Sequence, residues 1–190
     1  MIRINWMLGC VLALAALSSC TKDRNVEPIP VIADSTAAAI VPGVIKVNEI
    51  VAKGSVNMNE FNQATDWFEL YNTSNKPITF ESGKWFCTDK GSLEPLKYEL
   101  PVWTIPANGF LVVWCDTLNI VATQIHTNFN LSASGEDIGL FFKNEKDSLV
   151  KIDEIAYPAQ TISGYSYGRY GDGADNWQTF AVPTPGGPNH

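Results

Sequence analysis

The feature that most constrains this sequence is a series of short strand-like segments separated by turn residues. Asp66–Asn72 alternates polar and apolar residues, and Phe110–Cys115 is an apolar run that follows the turn Pro106–Gly109. Alternation with a period of two indicates a half-buried strand, and no run shows sustained helical periodicity. Roughly seven to nine such strands predict one all-β domain, an antiparallel β-sandwich.

Further strand-like segments lie before, between and after these two. They are Val44–Val51, Lys84–Cys87, Asp137–Phe142, Leu149–Ala156, Ser166–Tyr170 and Trp177–Phe180. Asn144–Asp147 is a turn and predicts a hairpin. The Pro/Gly-rich end, Pro183–Pro188, cannot continue a strand. Trp67, Trp85 and Trp114 fall within apolar strands, so we expect them in the core.

The N-terminal residues have the pattern of a bacterial lipoprotein signal. Arg3 supplies a positive charge, Leu8–Leu17 is apolar, and small residues precede Cys20. The apolar run is shorter than the roughly 18 to 20 residues that span a bilayer. We therefore expect residues 1–19 to be a signal peptide and Cys20 to be lipidated. The alternative is an ordinary secretory signal with a chance cysteine at the cleavage site.

The segment after the signal is expected to be a tether. Residues 20–41 contain Pro28, Pro30 and a run of small residues without periodicity, and a flexible spacer of this length reaches roughly 25 Å. Residues 42–190 then form the folded domain. Because Thr21 rather than an aspartate follows the cysteine, we expect the protein at the cell envelope, in the outer membrane or at the cell surface.

Charge and cysteine spacing argue against several classes of partner. The chain has 190 residues and a formal net charge of -7, and its Lys and Arg residues do not cluster. It lacks the basic footprint of a nucleic-acid binder and the polybasic patch that anionic lipids attract. No Cys/His spacing suggests zinc. We expect no nucleic-acid partner and no cofactor; the membrane is reached through the lipid.

Two cysteines remain once Cys10 has left with the signal and Cys20 carries the lipid. Cys87 and Cys115 each lie near the end of an apolar strand-like run. In an oxidising compartment these two can form a disulfide. The alternative is that both are small buried core residues.

A set of segments occurs in a recognisable order along the domain. They are Val47–Ile50, Asp66–Asn72, Gly83–Trp85, Ile105–Trp114, Asn130–Glu136, Tyr167–Tyr170 and Pro183–Asn189. In this order they resemble the lamin tail domain, over about residues 43–189. The resemblance implies an immunoglobulin-like antiparallel β-sandwich and a bacterial, envelope-exposed module. It implies no nuclear role, because the chain has neither a coiled-coil rod nor a basic localisation signal.

Several residues are candidates for binding. Trp103 and Trp177 border turn-rich sequence, so we expect them to be exposed, and exposed aromatic side chains are typical of recognition surfaces. Asp172 and Asp175 are weak candidates for calcium ligands, against the alternative of a solvated turn. His126 has no histidine partner at metal-binding spacing and is expected to be a polar loop residue.

One motif has the form of a catalytic site. Gly164–Gly168 fits the G-x-S-x-G pattern around Ser166, and Asp172, Asp175 and His190 follow in the order of a hydrolase triad. The residues after Ser166 cannot begin the helix that this mechanism needs. The alternative is that the two glycines allow close strand packing. Arg169 is expected to pair with a carboxylate such as Glu69 or Asp172.

These observations favour a lipid-anchored cell-envelope module without catalytic activity that binds another envelope component. The partner is expected to be a protein, bound by edge-strand pairing or through loops. The alternative is a carbohydrate-binding accessory module. A third hypothesis, a serine hydrolase that uses Ser166, is the least favoured.

Overall fold

In the computed structural model, which describes residues 38–190, the chain is almost entirely β-structure, with one helical turn at Gly91–Leu93. The strands are β1 (Ile45–Val51), β2 (Asp66–Asn72), β3 (Ile78–Phe80), β4 (Trp85–Thr88), β5 (Tyr98–Glu99), β6 (Trp103–Ile105), β7 (Phe110–Cys115), β8 (Ile120–Val121), β9 (Ile125–His126), β10 (Glu136–Lys143), β11 (Leu149–Tyr157), β12 (Ser166–Arg169) and β13 (Trp177–Phe180). The predicted all-β fold class is therefore confirmed.

The strands form two principal sheets and a small third one. The first has the order β13-β12-β1-β2-β7-β9-β8, the second β11-β10-β4-β5, and the third β3-β6. The paired strands run antiparallel except for β7 and β9, which run parallel with Val113 opposite Ile125. The parallel pair departs from the purely antiparallel prediction, because the chain turns back through β8 before it forms β9.

The longer strands agree with the sequence pattern within one or two residues. Five short strands, β3, β5, β6, β8 and β9, were not predicted. Two or three residues cannot display a periodicity, so such strands exist only because a neighbouring strand supplies their hydrogen bonds. The hairpin at Asn144–Asp147 forms between β10 and β11 as predicted.

The core lies between the two principal sheets. Phe68 on β2 is flanked by Ile50 on β1 and Val113 on β7, and all three belong to one buried cluster with Leu140 on β10. Each such side chain contributes roughly 1.5–3 kcal/mol when it is buried. The expected burial of Trp67, Trp85 and Trp114 is confirmed.

The chain enters the sandwich at the start of β1. Ala38 and Ile40, which the sequence assigned to the tether, pack partly buried against the core. Gly43 N donates to Ile152 O (2.7 Å), and Thr73 N donates to Val44 O (3.0 Å). We call this region, residues 38–44 with the turn at 73–77, the entry end.

Two glycines with left-handed φ angles allow the stability cost of backbone strain to be measured apart from the cost of steric crowding. An alanine Cβ at Gly135 (φ +88°) would lie 2.5 Å from Tyr157 O, whereas at Gly83 (φ +71°) it would meet no atom within 4 Å. We expect Gly83→Ala to lower the free energy of unfolding by about 1 kcal/mol. Gly135→Ala should cost a further ~1–3 kcal/mol from the clash. Urea unfolding followed by tryptophan fluorescence measures both, and equal losses would contradict the steric assignment.

Candidate functional site

Trp103 and Trp177, the predicted binding residues, are each only partly exposed. Trp177 stacks on Tyr167, with ring centroids 5.0 Å apart and an interplanar angle of 18°, and the Arg169 guanidinium carbon lies 4.5 Å from its centroid. Trp103 packs against the core. These rings are therefore engaged within the fold.

Arg169 has different partners from those expected. Its Nη1 donates to Asp175 Oδ1 at 2.6 Å and its Nη2 lies 3.2 Å from Asp153 Oδ2, so the predicted pairing with Glu69 or Asp172 is wrong. Asp153 lies on β11, and Asp175 lies in the turn between β12 and β13, so neither carboxylate comes from β2. Hydrogen bonds from Lys46 and from Arg169 lower the pKa of Asp175 below its usual value.

Asp172, the second calcium candidate, accepts two hydrogen bonds through one oxygen. The donors to Oδ1 are Asn48 Nδ2 (3.0 Å) and Asn189 N (3.1 Å). Within residues 38–190, no three His, Cys, Asp or Glu side chains are grouped as metal ligands. Asp172 therefore holds the backbone of Asn189 in place.

Ser166 lies within a strand rather than at a turn. It is buried at the start of β12, and its hydroxyl donates to Glu49 Oε1. His190 is exposed, with Nδ1 2.9 Å from Pro188 O. A Cβ on Gly168 would lie 3.1 Å from Asn48 O, which agrees with close strand packing as the reason for this glycine. A strand followed by a sharp turn and a helix, which a nucleophilic serine of this type requires, is not formed at residues 164–176.

Cys87 and Cys115 are two buried free thiols, on β4 and β7 of opposite sheets. Of the two alternatives, a disulfide or two small core residues, the structure has the second. Burial raises the pKa of both thiols well above the usual value. A thiol that stays protonated is a poor nucleophile for exchange, so these cysteines act as packing residues.

Three loops meet at the end of the sandwich opposite the entry end. β1 runs about 20 Å from the entry end to the opposite end, and β2 returns to the entry end. β7 again runs to the opposite end, and β12 starts at that opposite end. We call residues 52–65, 116–124 and 158–165 the loop end. Thr123 N donates to Glu60 Oε1 (3.0 Å), and Gly164 N donates to Lys53 O (3.0 Å), so the loops are joined to one another.

The loop end carries a concentration of exposed apolar side chains. Seven of the fourteen exposed large hydrophobic residues of the described chain lie there: Val56, Met58, Phe61, Leu118, Ile120, Val121 and Ile162. Apolar residues grouped on a surface mark interaction sites more often than scattered ones do. No sequence pattern predicts this surface, because its residues lie in three non-periodic loops that only the fold brings together.

His126 is buried beneath the loop end, so its assignment as a polar loop residue is wrong. It lies on β9 with no exposed surface. Its Nδ1 is 2.6 Å from Asp116 Oδ2, and the ring of Phe61 lies 5.2 Å away, centroid to centroid. The parallel pairing of β9 with β7 places His126 beside Trp114 on the outer face of the first sheet, under residues 52–65.

A second buried polar group lies on the same outer face, under the C-terminal residues. Glu69 Oε2 accepts from Gly186 N (2.6 Å) and Glu69 Oε1 from Asn48 Nδ2 (3.1 Å), while Glu49 accepts from the backbone and hydroxyl of Thr184. Burial raises the pKa of Glu69 to about 8 and also raises the pKa of Glu49. The two carboxyl groups hold residues 184–189 against the sheet.

No family model matches this chain, and no curated protein matches it. Residues 38–190 contain no helical segment with the length and apolar character that a membrane span requires.

The carboxyl of Glu69 makes stability depend on pH. Because its pKa rises from 4.5 to about 8 on folding, the folded state binds the extra proton. The contribution of Glu69 to the free energy of unfolding is complete below pH 4.5, falls by up to about 1.4 kcal/mol per pH unit as pH rises toward 8, and is lost above that pH. Burial also raises the pKa of Asp66, from 3.8 to about 6, so the free energy of unfolding also falls as pH rises between these two values.

Glu69→Gln should remove most of the slope between pH 6.5 and 8, whatever its effect on stability at any single pH. Urea unfolding at half-unit pH steps measures the slope, with Glu81→Gln at an exposed carboxylate as the matched control. A Glu69→Gln slope equal to that of the control would contradict the assignment.

Proposed function

We propose that this protein is a lipid-anchored module of the bacterial cell envelope that binds a partner protein through the loop end, without catalytic activity. The observation that carries the proposal is the exposed apolar surface at the end of the sandwich farthest from the entry of the tether. The remaining support comes from the direction of β1, from the open edge at β8 and from the chemistry of the exposed side chains.

The direction of β1 gives the domain an orientation. Cys20 and the signal lie outside the described residues, and the tether that follows them joins the sandwich at the entry end. A lipid on Cys20 therefore attaches the domain to the membrane through the entry end. The loop end lies at the opposite end of the sandwich from this attachment, where a partner can reach it.

The open edge of the first sheet lies within the same surface. β8 is the last strand of that sheet, and both of its residues, Ile120 and Val121, are exposed. An exposed edge strand presents unpaired backbone groups, to which an extended segment of another protein can add. The apolar side chains and the free edge are thus adjacent, as in recognition by strand addition.

The exposed side chains favour a protein over a glycan as the partner. Six of the seven are Val, Leu, Ile or Met, and the seventh is Phe61. Aliphatic side chains pack against apolar protein surfaces but offer no flat ring for a sugar. Trp103 and Trp177, the rings that would form such a platform, are partly buried and packed within the fold.

We also propose that residues 42–190 are a lamin tail domain of immunoglobulin-like type. Support comes from the two packed sheets and from the segments of the resemblance, several of which lie on β1, β2, β7 and β12. The segment Pro183–Asn189 supplies the contacts that cover Glu49 and Glu69.

The surface is tested by photo-crosslinking from Met58 in the full chain on intact cells. We expect a discrete protein adduct whose yield falls at least about tenfold with Val56→Asp, because a charge in an apolar interface costs more than 1.4 kcal/mol. Val102→Asp is the matched control: Val102 is 64% exposed and Val56 is 63% exposed, but Val102 lies beside Trp103. An unchanged yield with Val56→Asp, or an adduct removed by glycosidase, would overturn the proposal.

The anchor is tested by feeding cells a tagged fatty acid. The wild-type chain should become labelled, and Cys20→Ala should lose the label because no thiol remains at the cleavage site. Cys10→Ala, within the signal itself, is the matched control and should keep the label. Labelling that persists in Cys20→Ala would show that Cys20 is not the attachment site.

A further inference from the structure

The buried side-chain atoms without a hydrogen-bond partner are concentrated in one layer. Within residues 38–190 they are Asn57 Oδ1, Glu60 Oε2, Thr65 Oγ1, Trp67 Nε1, Trp114 Nε1 and His126 Nε2. Three belong to the loop 52–65, and three to a row of rings on the sheet beneath it, where Trp67 pairs with Trp114 and Trp114 with His126. Buried polar atoms are nearly always paired in native proteins, so this concentration requires an explanation.

The contact of His126 with Asp116 fixes the role of its other nitrogen. Nδ1 lies 2.6 Å from Asp116 Oδ2, and a carboxylate only accepts, so Nδ1 carries a proton and donates it. In a neutral imidazole the second nitrogen, Nε2, then has a lone pair and no proton. His126 Nε2 is therefore an acceptor unless the ring is doubly protonated.

The unpaired atom of Glu60 faces that nitrogen. Glu60 Oε2 lies 3.8 Å from His126 Nε2, and its other oxygen, Oε1, accepts from Thr123 N. Without a further proton, two buried acceptors oppose each other and neither is satisfied, which is unfavourable at low local dielectric. A proton on Nε2 makes the ring a cation and a donor, so that it attracts Glu60 Oε2 instead of opposing it, and a small closing of the 3.8 Å gap then gives a charge-assisted hydrogen bond.

We propose that a single proton bound between His126 Nε2 and Glu60 Oε2 clamps the loop 52–65 onto the first sheet, and that pH thereby regulates the binding surface at the loop end. The proton is taken from solvent as pH falls and is returned to solvent as pH rises. The regulatory part rests on the proposed function, whereas the clamp itself is a property of the isolated chain.

The surroundings of His126 contain two charged groups, and both take part. Asp116 follows β7, and Glu60 comes from the loop. Its uncharged neighbours include Phe61 from the loop, whose ring packs on it, and Trp114 and Ile120, which flank it in register on β7 and β8. The clamp is therefore an Asp116–His126–Glu60 chain that joins the sheet to the loop.

The clamp is linked directly to the exposed residues. Asn59 Nδ2 donates to Asp116 Oδ2 (3.3 Å), while Asn59 Oδ1 accepts from the backbone of Phe61 and Gln63. Met58 and Phe61, which lie on either side of this turn, are part of the apolar surface. Release of Glu60 thus removes one of the contacts that hold this segment, which presents two of the seven apolar side chains.

The clamp is tested by amide hydrogen exchange on the full chain in detergent micelles between pH 5 and 8, corrected for intrinsic rates. The reporting amides are those of Glu60 and Thr123, which bond across the loops. We expect their opening constants to rise with pH by up to about tenfold per unit, as the loss of one proton requires. Amides of the β10–β11 hairpin serve as the reference for global unfolding.

Glu60→Gln is the decisive variant. Its amide can accept from Thr123 N and donate to a neutral His126 Nε2 at every pH, so the opening constants should become independent of pH while the loop stays closed. Asp66, the other nearby carboxyl, is unchanged in this variant and cannot produce the difference. A flat wild-type profile, or the same slope in Glu60→Gln, would overturn the clamp. This experiment needs no partner, so its failure is distinct from a failure of the crosslinking.

Discussion

The central strands of the first sheet are buried on both faces, and the rest of the structure depends on how the two faces are covered. Phe68 and Leu70 of β2 face the second sheet, while Trp67 and Glu69 point the other way and are equally buried. The chain covers this outer face with two segments of its own, the loop 52–65 and residues 184–189. Because no further sheet of residues 38–190 packs on this face, hydrogen bonds hold both covering segments.

The two covers differ in what holds them. Residues 184–189 donate backbone hydrogen bonds to Glu49 and Glu69, and all four oxygens of the two carboxyl groups accept a hydrogen bond. The loop is held at its centre through Glu60, whose Oε2 faces His126 Nε2 without one. Glu69 also binds a proton on folding, but its oxygens are hydrogen-bonded, whereas the loop contact brings two unpaired acceptors together. Of the two segments, only the loop carries exposed large apolar side chains of the loop end, so a change in its contact reaches the proposed binding surface.

Much of the fold could be predicted from the sequence, but little of the candidate site. Strands such as Asp66–Asn72 carry their own periodicity, and the tryptophans within them mark the core. The loop end has no local signal, since Val56, Val121 and Ile162 come from separate loops. His126 was misread for the same reason: only the return through β8 buries it. Its partner Glu60 lies in a loop whose contacts are wholly tertiary, so neither residue could be paired by spacing.

β9 connects the two parts of the candidate surface. Its residue His126 faces the loop through Glu60, and the same residue pairs in register with Ile120 on the edge strand β8. A change in the protonation of His126 therefore affects the loop through the Glu60 side chain, and it affects the edge strand through the backbone pairing with Ile120. If a partner adds to β8 while it contacts Met58 or Phe61, it bridges the two elements that the clamp joins. Binding and protonation then favour the same closed arrangement, and each must strengthen the other, because linkage between two ligands of one state is reciprocal.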